Sequence, residues 1–316
     1  MKLLVTGGAG FIGSHFVDLV LASRPDRTVT VLDALTYAGD VRNLDEARQH
    51  PGFAFVRRDV SDPEVTGPLV QEADLVVNFA AESFVDRSIA DSRAFVQSNV
   101  VGTQVLLEAC RLQEIPLVQV STDEVYGSIA EGMFTEDSSL RPNNPYAATK
   151  AGGDLLCRAF HRTYGMDVRV MRGANAFGPR QNPEKAISTF AIAALQGRAV
   201  PVYGDGSNRR EWLYVEDFAR AVLTVIEQGE PGAVYNAGGG HEIANVDLAR
   251  DICRLVGADE ALITFVDDRP GHDFRYSMAW DRIAALGWKP EASFDQALAT
   301  TVEWYRRHPE RWEGRR

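Results

Sequence analysis

The chain has 316 residues, 45% hydrophobic and 24% charged, and its 33 Lys and Arg against 44 Asp and Glu give a formal charge of −11. The apolar fraction excludes a disordered chain, and the length excludes a disulfide-stapled miniprotein. The acidic balance gives no reason to expect nucleic acid as a partner. Cys110, Cys157 and Cys253 are widely separated and form no CxxC pair, which predicts buried thiols in a reducing compartment and no metal site. The opening MKLLVTGGAGFIG carries no secretory apolar region, and no stretch approaches the ~18 apolar residues of a membrane span. A soluble cytoplasmic protein is the expectation.

Short runs rich in Val and Leu at 2–6, 28–33, 53–59, 75–79, 117–121 and 168–171 predict strands. They lack strict polar alternation, as strands buried on both faces do. Helical stretches such as 14–22 and 94–110 separate them. This alternation predicts an α/β fold, a Rossmann-type doubly wound parallel sheet over residues 1–178. After Gly178, Gly and Pro cluster in GPRQNPEK, VPVYGDGSNRR, GEPGAVYNAGGG and DRPGHD. These predict a smaller C-terminal substrate-binding lobe over 179–316 that caps the carboxyl edge of the sheet, with a return to the first domain near 234–239. Residues 305–316 carry five arginines, read as a solvated helix end or else as a basic patch.

The first strand runs into Gly7-Gly8-Ala9-Gly10-Phe11-Ile12-Gly13 and then a helix. Gly7, Gly10 and Gly13 give a spacing that lets the turn tighten, the backbone approach a pyrophosphate, and the helix pack on the strand. The helix start presents free N–H groups and positive potential to the anion. The second strand ends at Asp33, where a carboxylate accepts the ribose hydroxyls of an adenosine and repels a 2′-phosphate. That favours NAD over NADP; the alternative is an Asp capping the next turn. Asp59, after the third strand, is placed to reach an adenine amino group. Phe79-Ala80-Ala81, after the fourth, offers small residues where a cofactor lies flat against backbone.

After the fifth strand comes Ser121-Thr122-Asp123-Glu124-Val125-Tyr126-Gly127, and further on Asn144-Pro145-Tyr146 opens a helix. Asn144 suits the cap and Pro145 the first turn. Tyr146 and Lys150 stand four apart and share one helical face. A phenol titrates near ~10, too high for a base at neutral pH, but a nearby ammonium favours the phenolate and can hold a nicotinamide ribose. The glycine loop with this YxxxK pair resembles the short-chain dehydrogenase/reductase superfamily, a resemblance by which Thr122, Tyr146 and Lys150 would make the usual oxidoreductase triad. Asp123 and Glu124 are additional to it. Adjacent carboxyls in a cleft have their pKa values pushed apart, one becoming an acid and the other a base. Simple hydride transfer has no use for that pair. An elimination has.

The glycine loop with Tyr146 and Lys150 resembles the extended short-chain dehydrogenase/reductase superfamily, and STDEVYG resembles the dTDP-glucose 4,6-dehydratase family. The resemblance spans essentially the whole chain, through LDALTYAGDVRNL, FAAESFVDRS, NPYAATK, RQNPEKAI, REWLYVEDFARA, YNAGGG, DRPGHDFRY and LGWKP. It implies conversion of dTDP-glucose to dTDP-4-keto-6-deoxyglucose with NAD regenerated. Thr122 would hydrogen-bond the 4-hydroxyl and Tyr146 would take its proton while hydride leaves C4. Glu124 would remove the C5 hydrogen, and protonated Asp123 would serve the C6 hydroxyl as water departs. Hydride then returns to C6.

The same resemblance implies NAD contacts along the loop Gly7, Gly10, Phe11, Ile12 and Gly13, then at Asp33, Ala34, Leu35 and Thr36. It adds Asp59 and Val60, then Phe79, Ala80, Ala81 and Ser83, with Ser98, Tyr146 and Lys150 completing the set. Ser83 and Thr122 would also touch the sugar. Asn175, Lys185, Arg210, Asn236 and Arg269 would hold the diphosphate and nucleoside, with Pro201 and Tyr203 around the base and Ala186, His272 and Tyr276 beside them. Arg210 would offer a bidentate fork. Phe84, Ala176 and Asn182 depart from the family pattern, outside the acid/base set. Two rivals remain open: an NDP-sugar 4-epimerase or decarboxylase, and a non-catalytic NAD-binding sensor.

The helices at 94–110 and Pro145–Tyr164 carry apolar residues on more than one face. In the first these are Phe95, Val96, Val100, Val101, Val105, Leu106 and Leu107. In the second they are Leu155, Leu156, Cys157, Ala159, Phe160 and Tyr164. Such breadth predicts a homodimer through a four-helix bundle, as the resemblance also implies, unless the C-terminal lobe covers the face.

Overall fold

The computed structural model describes residues 1–313; the last two arginines of the basic tail lie outside them. Twelve strands occur among these residues. They are Lys2–Thr6 (β1), Thr28–Asp33 (β2), Phe53–Arg57 (β3), Leu75–Asn78 (β4), Leu117–Thr122 (β5), Val168–Gly173 (β6), Asn175–Phe177 (β7), Val200–Tyr203 (β8), Arg209–Tyr214 (β9), Val234–Ala237 (β10), His241–Ala244 (β11) and Ile263–Val266 (β12). Seven form one parallel sheet in the order β10-β6-β5-β4-β1-β2-β3. Strand β1 lies inside it between β4 and β2, where Val5 pairs with Val31 of β2 and Val77 of β4. The sheet is buried on both faces because alternate side chains serve two cores. Leu3 and Val5 join Phe16, Val17, Phe218 and Val222 on one side. Leu4 joins Leu106, Cys110, Cys157 and Phe160 on the other. All three cysteines are free and buried.

The first helix, Phe11–Ser23, starts directly after the glycine loop, earlier than periodicity places it. The helix Pro145–Tyr164 is bounded by its own chemistry: Asn144 accepts from the Ala147 amide at 2.9 Å, and Gly165 ends it in the left-handed region at φ 67°. Residues 93–113 form one continuous helical rod rather than 94–110, with a π-helical stretch at Val96–Gly102. That stretch leaves no mark on a 3.6-residue pattern.

A third core gathers Ile187, Phe190, Val202, Trp212, Leu248, Ile252, Leu298 and Tyr305 in the later half of the chain. The later half also returns to the main sheet over more than 234–239. Helix Val215–Gln228 packs beside Phe11–Ser23, and Met278, Ile283 and Trp288 belong to the first core. In the described part of the tail, Arg306 and Arg307 pair with Glu303, while Arg311 lies over the Trp304 ring. No helix of the described residues is long and apolar enough to cross a membrane. Among the described residues, Val96, Leu155 and Tyr164 stand 45%, 53% and 54% exposed.

Candidate active site

A cleft of about 390 Å³ opens at the carboxyl edge of the sheet. Its walls come from the glycine loop, the segments after β4 and β5, helix Pro145–Tyr164 and the later lobe. Gly7 sits at φ 70°, and a Cβ there would stand 2.5 Å from the Ala80 amide nitrogen. A Cβ on Gly13 would collide with the Gly7 carbonyl. Glycine is therefore what lets this turn close on its neighbours. Gly10 is the helix N-cap and no side chain caps it, which leaves the first-turn amides of Phe11, Ile12 and Gly13 facing the cleft. Such an end fits a pyrophosphate.

Asp33 is buried at the end of β2, where Oδ2 accepts from the Ala9 amide at 2.9 Å and Oδ1 from the Leu35 amide at 2.8 Å. Burial pushes its carboxyl up. It therefore ties the glycine loop to the turn of Ala34, Leu35 and Thr36. Phe79, Ala81 and Ser83 line the cleft, with Ala80 pressed against Gly7. Asp33, Ala34, Leu35, Thr36, Asp59, Val60 and Ser98 are not brought to its wall. Asp59 spends Oδ1 on the amide and hydroxyl of Ser61, both at 2.8 Å, and Val60 is packed in the second core.

At the end of β5, Thr122 and Glu124 face the cleft and Asp123 lies between them, 2% exposed. Thr122 Oγ1 accepts from the Glu124 amide at 3.3 Å and donates to Asp123 Oδ1 at 3.1 Å. Burial first, then the neighbouring Glu124, holds the Asp123 carboxyl well above the usual range. That direction suits Asp123 to the part of a proton donor. Glu124 Oε2 accepts from Asn144 Nδ2 and from the Tyr276 hydroxyl, both at 3.5 Å.

Burial first, then Glu124 and Asp123, pushes the Tyr146 phenol well up, and Thr122 acts in the opposite direction. The Lys150 ammonium donates to the Val120 carbonyl at 2.7 Å, and burial lowers its pKa.

The later lobe brings Asn175, Lys185, Ala186, Pro201, Tyr203, Arg210, Arg269 and His272 to the opposite wall. Lys185 Nζ donates to the Ser83 carbonyl at 2.8 Å and stands 5.8 Å from the Phe84 ring centre. The Asn175 Nδ2 and Arg269 Nε atoms are buried without a partner. Arg210 is not a free fork. It donates to the carbonyls of Arg209, Asp273 and Phe274, and its guanidinium stacks 4.5 Å from the Tyr276 ring centre. Tyr276 is itself buried behind Glu124 and donates to Asp273 at 2.6 Å.

Asn236 corrects the reading. It is fully buried on β10, accepting from the Tyr126 hydroxyl at 2.8 Å and donating to the Ala279 carbonyl at 3.1 Å. Both ends of its amide are engaged away from the cleft, so it cannot hold a diphosphate. Trp212 was missed: it lines the cleft with a buried, unpartnered indole N–H. The signal was its position two residues from Arg210, on the same face of β9.

A family model described as GDP-mannose 4,6 dehydratase matches residues 4–301. The chain is 51% identical to the low-salt glycan biosynthesis protein Agl12 of Haloferax volcanii, over 96% of this chain and 98% of that one. It is 49% identical to a dTDP-glucose 4,6-dehydratase of an Actinoplanes species, over 99% of this chain and all of that one. Among solved structures, DesIV of Streptomyces venezuelae, a dTDP-glucose 4,6-dehydratase with NAD and TYD bound, superposes with a TM-score of 0.97. It is 48% identical and covers 99% of both chains.

Proposed function

We infer the reaction of this chain, which belongs to the GDP-mannose 4,6-dehydratase family, from the carboxyl pair at the end of β5. It is an NAD-dependent hydro-lyase that converts dTDP-glucose to dTDP-4-keto-6-deoxyglucose. The observation that carries this reading is a buried Asp123 beside Glu124 at the end of β5, hydrogen-bonded to Thr122 Oγ1 at 3.1 Å. A 4-epimerase has no use for an acid and a base at C6 and C5.

NAD, when bound, takes up hydride from C4 and gives it back at C6. Every proton is handled by the chain. Thr122 orients the 4-hydroxyl and Tyr146 takes its proton. The C4 ketone acidifies the C5 hydrogen, which Glu124 removes, and Asp123 protonates the C6 hydroxyl so that it leaves as water. Glu124 then returns its proton to C5. The amides of Phe11, Ile12 and Gly13 would hold the cofactor pyrophosphate, Asp33 the adenosine ribose and Lys150 the nicotinamide ribose. Lys185 and Arg269 would take the sugar nucleotide's diphosphate, with Pro201 and Tyr203 at the base.

The sheet half would thus serve the cofactor and the later lobe the nucleotide. The exposed Val96, Leu155 and Tyr164 support a homodimer through the two long helices, and free buried thiols suit a reducing cytoplasm. Incubation with dTDP-glucose and, in parallel, UDP-glucose tests the reaction. A base-shifted keto-sugar chromophore is expected with dTDP-glucose. Formation of a 4-epimer instead, or NAD binding without turnover, would replace the dehydratase by one of its rivals.

A further inference from the structure

In the reaction just given, Glu124 has to accept the proton of C5. Behind its carboxylate lies the hydroxyl of Tyr276, a residue 2% exposed, with one proton and two carboxyl neighbours. Asp273 Oδ2 stands 2.6 Å from that hydroxyl and Glu124 Oε2 3.5 Å. The first distance is that of a short, strong hydrogen bond and the second lies at the far limit of one, so the proton rests with Asp273. Asp273 is 3% exposed and is held at both its carboxylate and its backbone carbonyl. Its Oδ1 accepts from Asn143 Nδ2 at 2.5 Å, and its carbonyl accepts from Arg210 Nη2 at 2.9 Å and Asn208 Nδ2 at 3.2 Å. No step of the reaction uses this buried carboxyl directly.

We propose that Asp273 is a positioning residue for the C5 step, acting through Tyr276 on Glu124. With its proton drawn to Asp273, the phenol presents an oxygen lone pair to Glu124. A lone pair repels a carboxylate and accepts from a carboxylic acid, so the arrangement favours proton uptake by Glu124. That uptake is what the elimination asks of it. The C5–H bond breaks and its proton joins the Glu124 carboxylate. The electron pair becomes the C5–C6 double bond as the C6 oxygen leaves with the proton of Asp123. Tyr276 and Asp273 neither gain nor lose a proton. Asn144 Nδ2, 3.5 Å from the same Oε2, steadies the carboxylate from the helix side.

Asp273 has this role only if the dehydratase reading holds, and one experiment separates the two. Asp273→Asn keeps the shape and an oxygen for Asn143, but its amide N–H donates to the phenol oxygen and frees the phenol proton for Glu124. Tyr276→Phe removes the hydroxyl. Calorimetric titration with dTDP reports that each variant is folded. On mixing with dTDP-glucose, Asp273→Asn should reduce the bound nicotinamide at the wild-type rate. Product formation should fall ~10-fold or more, the scale of a hydrogen bond to a charged group. The reduced form should therefore accumulate, and deuterium at C5 should slow product formation by a larger factor than in the wild type. In the Tyr276→Phe background, Asp273→Asn should change neither rate further. Equal loss of both steps, an unaltered C5 isotope effect, the same loss in the Tyr276→Phe background, or a variant that no longer binds dTDP would each make Asp273 a structural residue and overturn the proposal. A wild type that does not turn over dTDP-glucose would overturn the reaction itself. A wild type that turns over beside an equally fast Asp273→Asn would overturn the role of Asp273 alone.

Discussion

Arg172 on β6 meets Asp154 on the catalytic helix at 2.8 Å, with their side chains 6% and 1% exposed. The same guanidinium donates to the Tyr126 hydroxyl at 2.7 Å, so it clamps the helix to the sheet one turn beyond Lys150. Removing one partner strands a buried charge, which costs ~3–5 kcal/mol. Asp154→Ala should therefore lose that much stability in urea unfolding, and an unchanged midpoint would show that the clamp is not needed.

Asp123→Asn and Glu124→Gln should act on elimination and spare C4 oxidation, because the first step needs only Tyr146, Thr122 and Lys150. Product formation should fall by ~100-fold or more, while absorbance from the reduced nicotinamide appears on mixing and persists. Normal turnover in both variants would take the acid/base roles away from this pair.

The protonated state of Asp123 has a cost in stability that depends on pH. Its pKa is raised in the folded chain by burial and by Glu124. Between the unfolded value and that raised value the folded state holds one proton more, so stability falls as pH rises through the window. Asp123→Asn removes the titration. Its melting temperature should exceed the wild type's at pH 8, with the gap closing as pH falls toward ~4, the unfolded carboxyl range. A pH-independent gap would contradict this.

Asp33 should set the cofactor preference. In the proposed function its carboxylate takes the adenosine ribose, where it would repel a 2′-phosphate, and it is fixed by the amides of Ala9 and Leu35. Calorimetric titration should find NADP at least ~100-fold weaker than NAD, about 2.7 kcal/mol. Equal affinities would remove Asp33 from the ribose site.

Assembly should depend on the uncovered helix faces. Light scattering at micromolar concentration should give the mass of two chains, and Leu155→Glu should shift it toward one, since a buried carboxylate would be unpaired at the interface. Leu155 is 53% exposed in the single chain, so the substitution leaves the fold itself intact. A wild-type mass of one chain would defeat the dimer.

Elements whose boundaries are local chemistry were legible in the sequence. Asn144 and Gly165 bracket their helix, and β1 and β2 end where their Val-rich runs meet Gly7 and Asp33. The glycine spacing, Tyr146, Lys150 and the Asp123–Glu124 pair were visible because each is a short motif on one element. What escaped depends on distant partners. Asn236 turns to Tyr126 and Ala279 rather than to the cleft, and Arg210 is satisfied by three carbonyls, two of them more than sixty residues away. Helical spacing puts Lys150 on the face of Tyr146, but only the fold shows that its ammonium meets the Val120 carbonyl on β5.

The π-helical stretch Val96–Gly102 makes the rod of residues 93–113 a crankshaft. Its wider turns put the two ends out of phase: Phe95 points its ring edge at Tyr146, 6.3 Å away, while Leu106 and Leu107 face the sheet. Asn99, in the offset segment, binds both the Glu82 backbone and the Thr149 hydroxyl. Deleting one residue there would convert the stretch to ordinary helix and rotate one end against the other by roughly 100°. Either the aromatic contact behind the catalytic phenol or the hydrophobic seam would then be lost. The length of this segment is thus under tighter constraint than the identity of its exposed side chains.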